Sequence, residues 1–306
     1  MCVGIPVRDE ESSVAALLDS LLTQPMTPAE IVVADGGSAD ATVAVASRYA
    51  DRGVRVLDLG PAYPGRGRNE AVRAARHEWI AFIDAGCVAE PGWLEALAQA
   101  VGPEARVVYG HYEPRLENEW DVAQALAFVP PVDPATGCRP PFVASSLVHR
   151  SAWEAAGGFP EDLRAAEDLV FFERLARAGV AAVRAPRAVI RWSLSPSPAA
   201  AFRRLRLYSR FHLKAGLSRT WQRRVFAMDL VALVLAAGAL AWPPLLLVLG
   251  LGFGARLLRT IWVRRRNVQG AAFRPDRLLR VAVLLVLGDL AAWAGLLDLL
   301  MERRQG

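Results

Sequence analysis

The chain has 306 residues, of which 53% are hydrophobic and 22% are charged, and its formal net charge is +5. This length holds one large α/β domain with an appendage, or two domains. Its three cysteines, Cys2, Cys87 and Cys138, show neither a pairing pattern nor a CxxC spacing. They argue against a disulfide framework and a structural zinc site, and they fit a reduced, cytosol-facing domain.

Charge is divided unequally along the chain. Residues 1–200 carry 18 basic and 26 acidic residues, whereas residues 201–306 carry 18 basic and 5 acidic ones. A basic half usually faces a polyanion, either nucleic acid or an anionic membrane surface. Leu230–Ala255 lacks any charged residue and Val281–Leu300 contains only two aspartates, so both runs are long enough for a bilayer. We therefore expect membrane lipids, and no nucleic acid, as partners.

Short β-rich apolar runs alternate with helical stretches over residues 2–112. The helical stretch Ser12–Leu22 shows a 3.6-residue apolar period and ends before Pro25. The alternation predicts an α/β fold with a mostly parallel, doubly wound sheet, whose ligands sit at the carboxyl ends of the strands. The predicted strands are Cys2–Val7, Ile31–Ala34, Val54–Leu57, Trp79–Ile83 and Val107–Tyr112.

The next stretch, Arg115–Pro141, is poorly periodic and rich in proline and glycine, and we interpret it as a loop. Structure resumes at Phe142–His149 and continues through the helix-like "SAWEAAGGF" and "AAEDLVFFERLARAG" to apolar runs at Val180–Val183 and Val189–Trp192. The soluble domain is expected to end within "SLSPSP", so we assign it residues 1–198.

A basic helix is predicted at Ala199–Ala215, with four cationic side chains on one face. It resembles a helix lying on a membrane surface, and a solvated helix packed on the main domain is the alternative. We assign residues 199–229 to basic amphipathic interfacial helices and residues 230–306 to a membrane-embedded helical region. Those four side chains are Arg203, Arg206, Arg210 and Lys214.

The membrane topology stays open at this point. If both apolar runs crossed, the eight arginines between them would lie outside, against the positive-inside rule. The prolines of Trp242–Pro244 could break the first run and turn it back toward the side from which it entered. At about 1.5 Å per residue, however, the uncharged part of this run is too short for two crossings of a hydrocarbon core about 30 Å thick. We predict two to three membrane segments with the first domain cytosolic, and a soluble protein with two buried core helices is the alternative.

Three acids follow predicted strands: Glu10 after the first, Asp35 after the second and Asp84 after the fourth. In a parallel sheet these positions share the ligand crevice. For each acid the alternative is a capping or turn residue, and in "DGGS" a turn alone competes seriously for Asp35.

Two further clusters could carry chemistry. In "GPAYPGRGRNEA", residues 60–71, Arg66 and Arg68 could neutralise a diphosphate, although Gly and Arg are commonplace in surface loops. In "AAEDLVFFERL", Glu167 and Asp168 open a helix whose dipole explains them, and a general base for an acceptor hydroxyl is the functional alternative.

The ordered motifs resemble those of one family. "VGIPVRDEESSVAALLDSL", "EIVVADGGSADAT", "GRGRNEAVRAA", "WIAFIDAGC", "PGWLEAL", "ASSLVHRSAWEAAGGF" and "EDLVFFERL" occur in the order typical of family 2 glycosyltransferases of the GT-A fold. The resemblance covers about residues 2–192 and implies a GT-A-type nucleotide-sugar-binding domain.

The resemblance also implies roles for single residues. Asp168, after Glu167, is similar to the catalytic base. Asp84 begins the family's Asp-x-Asp element, whose acids hold a divalent cation, Mg²⁺ or Mn²⁺, on the donor diphosphate. Gly86 replaces the second acid here, so a cation would need water and the diphosphate as further ligands, or Arg66 and Arg68 would carry more of the neutralisation. The predicted donor-binding residues are Pro6, Arg8, Glu10, Asp35, Arg66, Arg68, Asn69 and Asp84.

The resemblance and the apolar carboxyl-terminal runs together imply a membrane-anchored inverting glycosyltransferase. It would move a sugar from a nucleotide-sugar to a lipid-linked or envelope-glycan acceptor at the cytosolic face. A non-catalytic nucleotide-sugar-binding scaffold is one alternative, because Gly86 leaves the metal site without its second acid. A sugar-phosphate nucleotidyltransferase is another, but it would need a Gly-Arg loop after the first strand, where this chain has "VRDEESS".

Overall fold

A computed structural model of the protein describes residues 1–217 and 221–305. The chain forms two compact units. The first contains Met1–Arg115 and Val132–Ser193, and the second contains Leu116–Pro131 and Leu194–Gly306. The predicted functional divisions of the chain at residues 198 and 229 stay predictions.

One mixed sheet forms the centre of the first unit. Its strand order is β3-β2-β1-β4-β7-β6-β8-β5. β1 pairs parallel with β2 and β4, β2 with β3, and β6 with β8, whereas β7 is antiparallel to β4 and β6, and β5 is antiparallel to β8. The predicted α/β fold with a mostly parallel sheet is confirmed. The strands are β1 (Cys2–Val7), β2 (Glu30–Asp35), β3 (Val54–Asp58), β4 (Trp79–Phe82), β5 (Cys87–Ala89), β6 (Val107–Pro114), β7 (Ser146–His149) and β8 (Ala182–Trp192).

Helices cover the two faces of this sheet and build the second unit. Helix α1 turns its buried residues, Val14, Leu17, Leu18 and Leu21, toward one face of the sheet, as its period predicts. The helices are α1 (Val14–Leu22), α2 (Thr42–Ser47), α3 (Pro64–Ala74), α4 (Trp93–Gln99), α5 (Glu119–Ala127), α6 (Arg150–Ala155), α7 (Glu167–Arg177), α8 (Pro198–Lys214), α9 (Gln222–Gly238), α10 (Leu245–Arg264) and α11 (Pro275–Gln305).

One expectation about a connection is wrong. Residues 115–141 are not all loop, because they contain α5, whose amino end is capped by the Asn118 side chain accepting from the Trp120 and Asp121 amides. The apolar runs around Val183 and at Val189–Trp192 lie in one strand, β8, which stays paired with β6 across a register shift.

In the second unit, α8 packs along α11. The backbone carbonyl of Arg206 would lie 2.6 Å from a Cβ on Gly295, so only glycine permits this approach. The predicted helix at Ala199–Ala215 is confirmed, but most of its cationic face is paired within the unit. Arg206 binds Asp298, and Arg210 and Lys214 bind Glu302.

Two helices of the second unit are long and apolar enough to cross a membrane by length and composition. They are Leu245–Asn267, of which little is buried, and Pro275–Arg304, which is buried along one side. Ile261, Val281 and Leu284 join α10 and α11 to α5 in a small apolar cluster.

Candidate active site

Helix α3 carries residues of the candidate site, and two glycines in its first turn let it lie close to its neighbours. A Cβ on Gly65 would stand 2.0 Å from the carbonyl oxygen of Pro160, and one on Gly67 would stand 3.0 Å from the Cβ of Pro6. Pro64 occupies the first helical turn, where its missing N–H is harmless. The "PGRG" sequence thus fixes the position of Arg68 against β1.

Arg68 lies at the centre of the candidate site and is only 2% exposed. One guanidinium nitrogen donates to Oε1 of Glu167 at 2.6 Å and another donates to Oδ1 of Asp84 at 2.7 Å. The guanidinium carbon lies 5.6 Å from the centre of the Phe159 ring. A planar fork suits this double role, because it can hold two carboxylates at fixed angles. Arg68 therefore links the end of β4 to the start of α7.

The two predicted catalytic acids lie in the first turn of α7. Ala166, directly before them, has a φ of 70°, a left-handed conformation that costs a residue with a Cβ about 1–2 kcal/mol. Burial raises the pKa of the Asp168 carboxyl to about 7, and the neighbouring charge of Glu167 adds to the shift while Arg68 opposes it. Asp168 is therefore poised to accept a proton near neutral pH.

Asn69 braces the site from the next position of α3. Its side-chain oxygen accepts from Nε1 of Trp153 at 2.8 Å and from the Phe159 amide at 2.9 Å. Its side-chain nitrogen donates to the Phe159 carbonyl and to Glu161. The amide is thus committed to holding the loop after α6 against α3, while its predicted donor contact stays a prediction.

The ends of β1 and β2 form a separate set of predicted donor-binding residues. Asp35 is buried and accepts from the Gly37 and Ser38 amides and the Ser38 hydroxyl, which is the turn role that competed for it in the sequence. The Glu10 amide donates to the Thr42 hydroxyl at 2.7 Å. The two strand ends are therefore tied together.

Three further predicted donor-binding residues lie outside the Arg68 cluster. Pro6 is on β1 beneath Gly67, and the exposed Arg8 lies 3.7 Å from Asp9. Arg66 is exposed, and no residue in the described part of the chain pairs with it. Both arginine side chains face solvent, where an anion can reach them.

This unit contains a second buried arginine, Arg139, that was not predicted from the sequence. Arg139 is 2% exposed, and its guanidinium donates to the Tyr112 carbonyl at 3.0 Å and to Glu113 at 2.6 Å. Its backbone amide donates to Nδ1 of His111 at 3.2 Å. This arginine ties the proline-rich loop to the end of β6. The alternating His111 and Glu113 at a strand end, with an arginine in a nearby proline-rich loop, would have been the signal.

Among the described residues of the site, Asp84, just after β4, is the candidate for holding a cation. Only Oδ1 of Asp84 is engaged by Arg68, and its side chain is 32% exposed. In the described residues no three His, Cys, Asp or Glu side chains cluster to hold a metal ion. A Cβ on Gly86 would meet nothing within 4 Å, so the space of the missing acid is open. These residues do not form a protein cage, but they fit Mg²⁺ or Mn²⁺ held by one carboxylate and substrate phosphates.

Comparisons with known proteins show which proteins this chain resembles. Residues 2–148 match the family described as Glycosyl transferase family 2. The putative glycosyltransferase EpsH of Bacillus subtilis is 33% identical over 127 residues, 39% of this chain and 37% of the relative. The succinoglycan biosynthesis protein ExoO of Rhizobium meliloti is 34% identical over 107 residues, 34% of this chain and 31% of the relative. The chain thus spans about a third of the length of these relatives.

Two solved structures show the fold. The mannosyltransferase PcManGT from Pyrobaculum calidifontis, in complex with GDP-Man and Mn²⁺, has a TM-score of 0.68 at 19% identity and covers 98% of this chain and 87% of that one. TarS of S. aureus in complex with UDP has a TM-score of 0.51 at 20% identity, over 68% of this chain and 64% of that one. The first unit thus has the GT-A-type α/β fold, and residues 2–148 form a family 2 glycosyltransferase domain.

Proposed function

We propose that the protein is an inverting glycosyltransferase that moves a sugar from a nucleotide-sugar to a lipid-linked or envelope-glycan acceptor at the cytosolic face of a membrane. One observation carries the proposal: Arg68 joins Asp84, at a strand end, to the acids that open α7. Two solved structures of proteins with the same fold contain UDP or GDP-Man, and this supports a nucleotide-sugar donor.

Asp168 is the proposed catalytic base. It takes the proton of the acceptor hydroxyl while that oxygen forms a bond to the anomeric carbon and the bond to the nucleoside diphosphate breaks. One displacement inverts the anomeric configuration, so the protein needs no nucleophile of its own. Glu167 and Arg68 position this base: the guanidinium holds Glu167 and supplies a positive charge beside Asp168.

The leaving diphosphate needs its growing negative charge neutralised. Asp84 would hold a divalent cation through the oxygen that Arg68 leaves unused, and the cation would neutralise that charge when bound. Arg66 and Arg8 have exposed guanidinium groups for the same purpose. Because both terminal guanidinium nitrogens of Arg68 donate to carboxylates within a buried cluster, we assign Arg68 to positioning rather than to the diphosphate.

The carboxyl-terminal apolar helices motivate the membrane part of the proposal. The excess of arginine in residues 201–306 supports a cytosolic location for the site, because basic segments stay on that side. A non-catalytic nucleotide-sugar-binding scaffold is the second candidate, and Gly86 favours it. To separate the two, the full chain in detergent is given a panel of nucleotide-sugars with Mg²⁺ or Mn²⁺. Release of a nucleoside diphosphate supports the enzyme, and binding without release supports the scaffold.

The pH dependence of transfer tests the base. Only the ionised carboxylate accepts a proton, and the pKa of Asp168 is raised to about 7. We therefore expect kcat/KM to rise about tenfold per pH unit below that value and to level off above it. Initial rates between pH 5 and 9 check this, with donor affinity measured over the same range as the control. A flat profile from pH 5 to 7 would contradict the assignment.

Restoring the missing acid tests the cation site. We expect Gly86→Asp to fit without a clash and to strengthen Mn²⁺ binding in the presence of UDP by at least about tenfold. Even residues that only hydrogen-bond to a metal's ligands change its affinity by about 10–100-fold. Titration calorimetry measures the affinity. Gly102→Asp is the matched control, because Gly102 also has open space and lies before β6. Equal Mn²⁺ affinity of the two variants would place the cation away from Asp84.

A further inference from the structure

Helices α9 and α10 form a hairpin. The six residues that join them contain the Trp242–Pro244 break, and the Trp242 amide donates to the Gly238 carbonyl at 2.9 Å. A Cβ on Gly238 would lie 2.8 Å from a methyl carbon of Leu245, so the two helices touch at the turn. Two contacting helices with so short a connection run antiparallel.

The half of the hairpin next to the turn is apolar and exposed. Residues 230–255 carry no charge. Among the described residues, no other helix or strand covers the ends of α9 and α10 that lie next to the turn. The exposed large side chains in this half are Leu230, Val231, Leu233, Val234, Leu240, Trp242, Leu246, Leu247, Val248 and Leu251. Water is a poor environment for such a continuous surface.

The other half of the hairpin is charged and packed on α11. Asp229 accepts from Nε1 of Trp293 at 2.8 Å, and Arg256 binds Asp289 through two bonds of 2.6 and 2.7 Å. Ile261 is fully buried. Asp229 on α9 and Arg256 on α10 therefore lie at a similar distance from the turn. The apolar half of each helix begins at these charges.

The lengths match one leaflet of a bilayer. From Leu230 to Gly238 there are nine residues, and from Leu245 to Ala255 there are eleven. At about 1.5 Å per residue these pieces are about 14 and 16 Å long, and half of a hydrocarbon core about 30 Å thick is about 15 Å. A full crossing would instead carry Asp229 and Arg256 toward the centre of the bilayer, where a charged residue costs about 2.5–3.5 kcal/mol.

Helix α11 has the pattern of a helix at the same surface. Its exposed apolar residues recur every three to four positions, while its other side packs on α8 and α5. Ion pairs join α11 to both neighbours, Arg277 with Glu119 of α5 and Asp298 with Arg206 of α8. The exposed stripe is Leu279, Val283, Val286, Leu290, Trp293 and Leu297.

We propose that the α9–α10 hairpin enters one leaflet with its turn leading and returns to the same side, so that it anchors the protein without crossing the membrane. The inference rests on the proposed membrane attachment. It removes the conflict with the positive-inside rule, because both ends of the hairpin, at Arg223–Arg224 and at Arg264–Arg266, stay on the cytosolic side.

Cysteine labelling of the full chain tests the proposal. Ala241→Cys places a thiol at the exposed turn, Gln269→Cys places the matched control thiol in the exposed connection after α10, and the native cysteines are buried. Each variant is added to preformed sealed vesicles of phosphatidylcholine and phosphatidylglycerol. Flotation is measured first, and a membrane-impermeant maleimide is then supplied either outside or trapped inside.

We expect both variants to float and Cys at position 269 to react from outside. The thiol at position 241 should react from neither side until detergent is added, and a nitroxide on it should report a depth near the middle of the bilayer. Reaction at 241 with the trapped reagent would mean a full crossing, and reaction from outside would mean no insertion; either result overturns the hairpin anchor while flotation upholds attachment. Absence of flotation would overturn the attachment itself. Sugar transfer is assayed on the same samples, so its presence or absence is scored separately.

Discussion

Replacing Asp168 with Asn is expected to lower kcat for sugar transfer by about 10²–10⁴-fold, the usual contribution of a positioned general base. Asparagine keeps the size of the side chain but cannot take the proton of the acceptor hydroxyl. The donor does not need that proton transfer to bind, so we expect its dissociation constant to change little. Initial rates at saturating donor and titration calorimetry with UDP measure the two quantities.

The control for this variant is Asp162→Asn, which changes an exposed acid in the loop before α7. It should transfer sugar at the wild-type rate. If Asp168→Asn retained more than about a tenth of the wild-type kcat, another group would have to be the base.

The same substitution should stabilise the fold at alkaline pH. The pKa of Asp168 is raised from 3.8 to about 7, chiefly by burial, so the folded state holds its proton more tightly than the unfolded state does. Stability from this group is therefore complete below about pH 4 and is lost as the pH rises through 7. We expect a higher Tm for Asp168→Asn than for the wild type at pH 8 and equal values near pH 4. Loss of activity with a gain in Tm also distinguishes a missing base from a misfolded protein.

Replacing Arg68 with Met is expected to lower the free energy of unfolding of the first unit by about 3–5 kcal/mol, the typical result of removing one partner from a buried ion pair. Methionine fills the space but leaves Asp84 and Glu167 without their shared cation. Arg68→Lys should lose less, because it keeps the charge but cannot hold two carboxylates in a planar fork. Urea unfolding followed by tryptophan fluorescence measures the losses.

Arg66→Met is the matched control for this pair of variants. It removes an arginine two positions earlier on the same helix, but that arginine is exposed. We expect its unfolding free energy to stay within about 0.5 kcal/mol of the wild type. Equal losses for Arg66→Met and Arg68→Met would show that the buried cluster contributes nothing special.

The positions of the strand-end acids could be predicted from the sequence, because parallel strands align their carboxyl ends. Asp35 is the last residue of β2, and Asp84 lies two residues after the end of β4. The partner of Asp84 could not be predicted in this way. Arg68 and Glu167 are 99 residues apart, and only the folded chain brings the start of α7 to α3. From the sequence alone, "GRGR" was interpreted as a loop that faces the diphosphate. In the folded chain, Arg68 is buried at the centre of a cluster of carboxylates.

Helix α5 escaped prediction for a different physical reason. Its buried residues are mostly alanines, which give a weak apolar period, and it is stabilised by packing on Ile261 and Leu284 far along the chain. Propensity is a weak guide where tertiary contacts supply most of the stability. The Trp242–Pro244 break in the sequence indicated where a hairpin could turn. The boundary between its apolar and its charged half could be located only from the Arg256–Asp289 and Trp293–Asp229 contacts.

The central claim is that the Arg68–Asp84–Glu167–Asp168 cluster transfers a sugar from a nucleotide-sugar to an acceptor of the membrane. The most direct measurement is mass spectrometry of the products that the full chain forms from mixed nucleotide-sugars and a membrane lipid extract. We predict that the wild-type protein yields lipids heavier by one sugar residue and that Asp168→Asn yields none above background. No sugar-modified product from any donor with the wild-type protein, or equal yields from both proteins, would contradict the account.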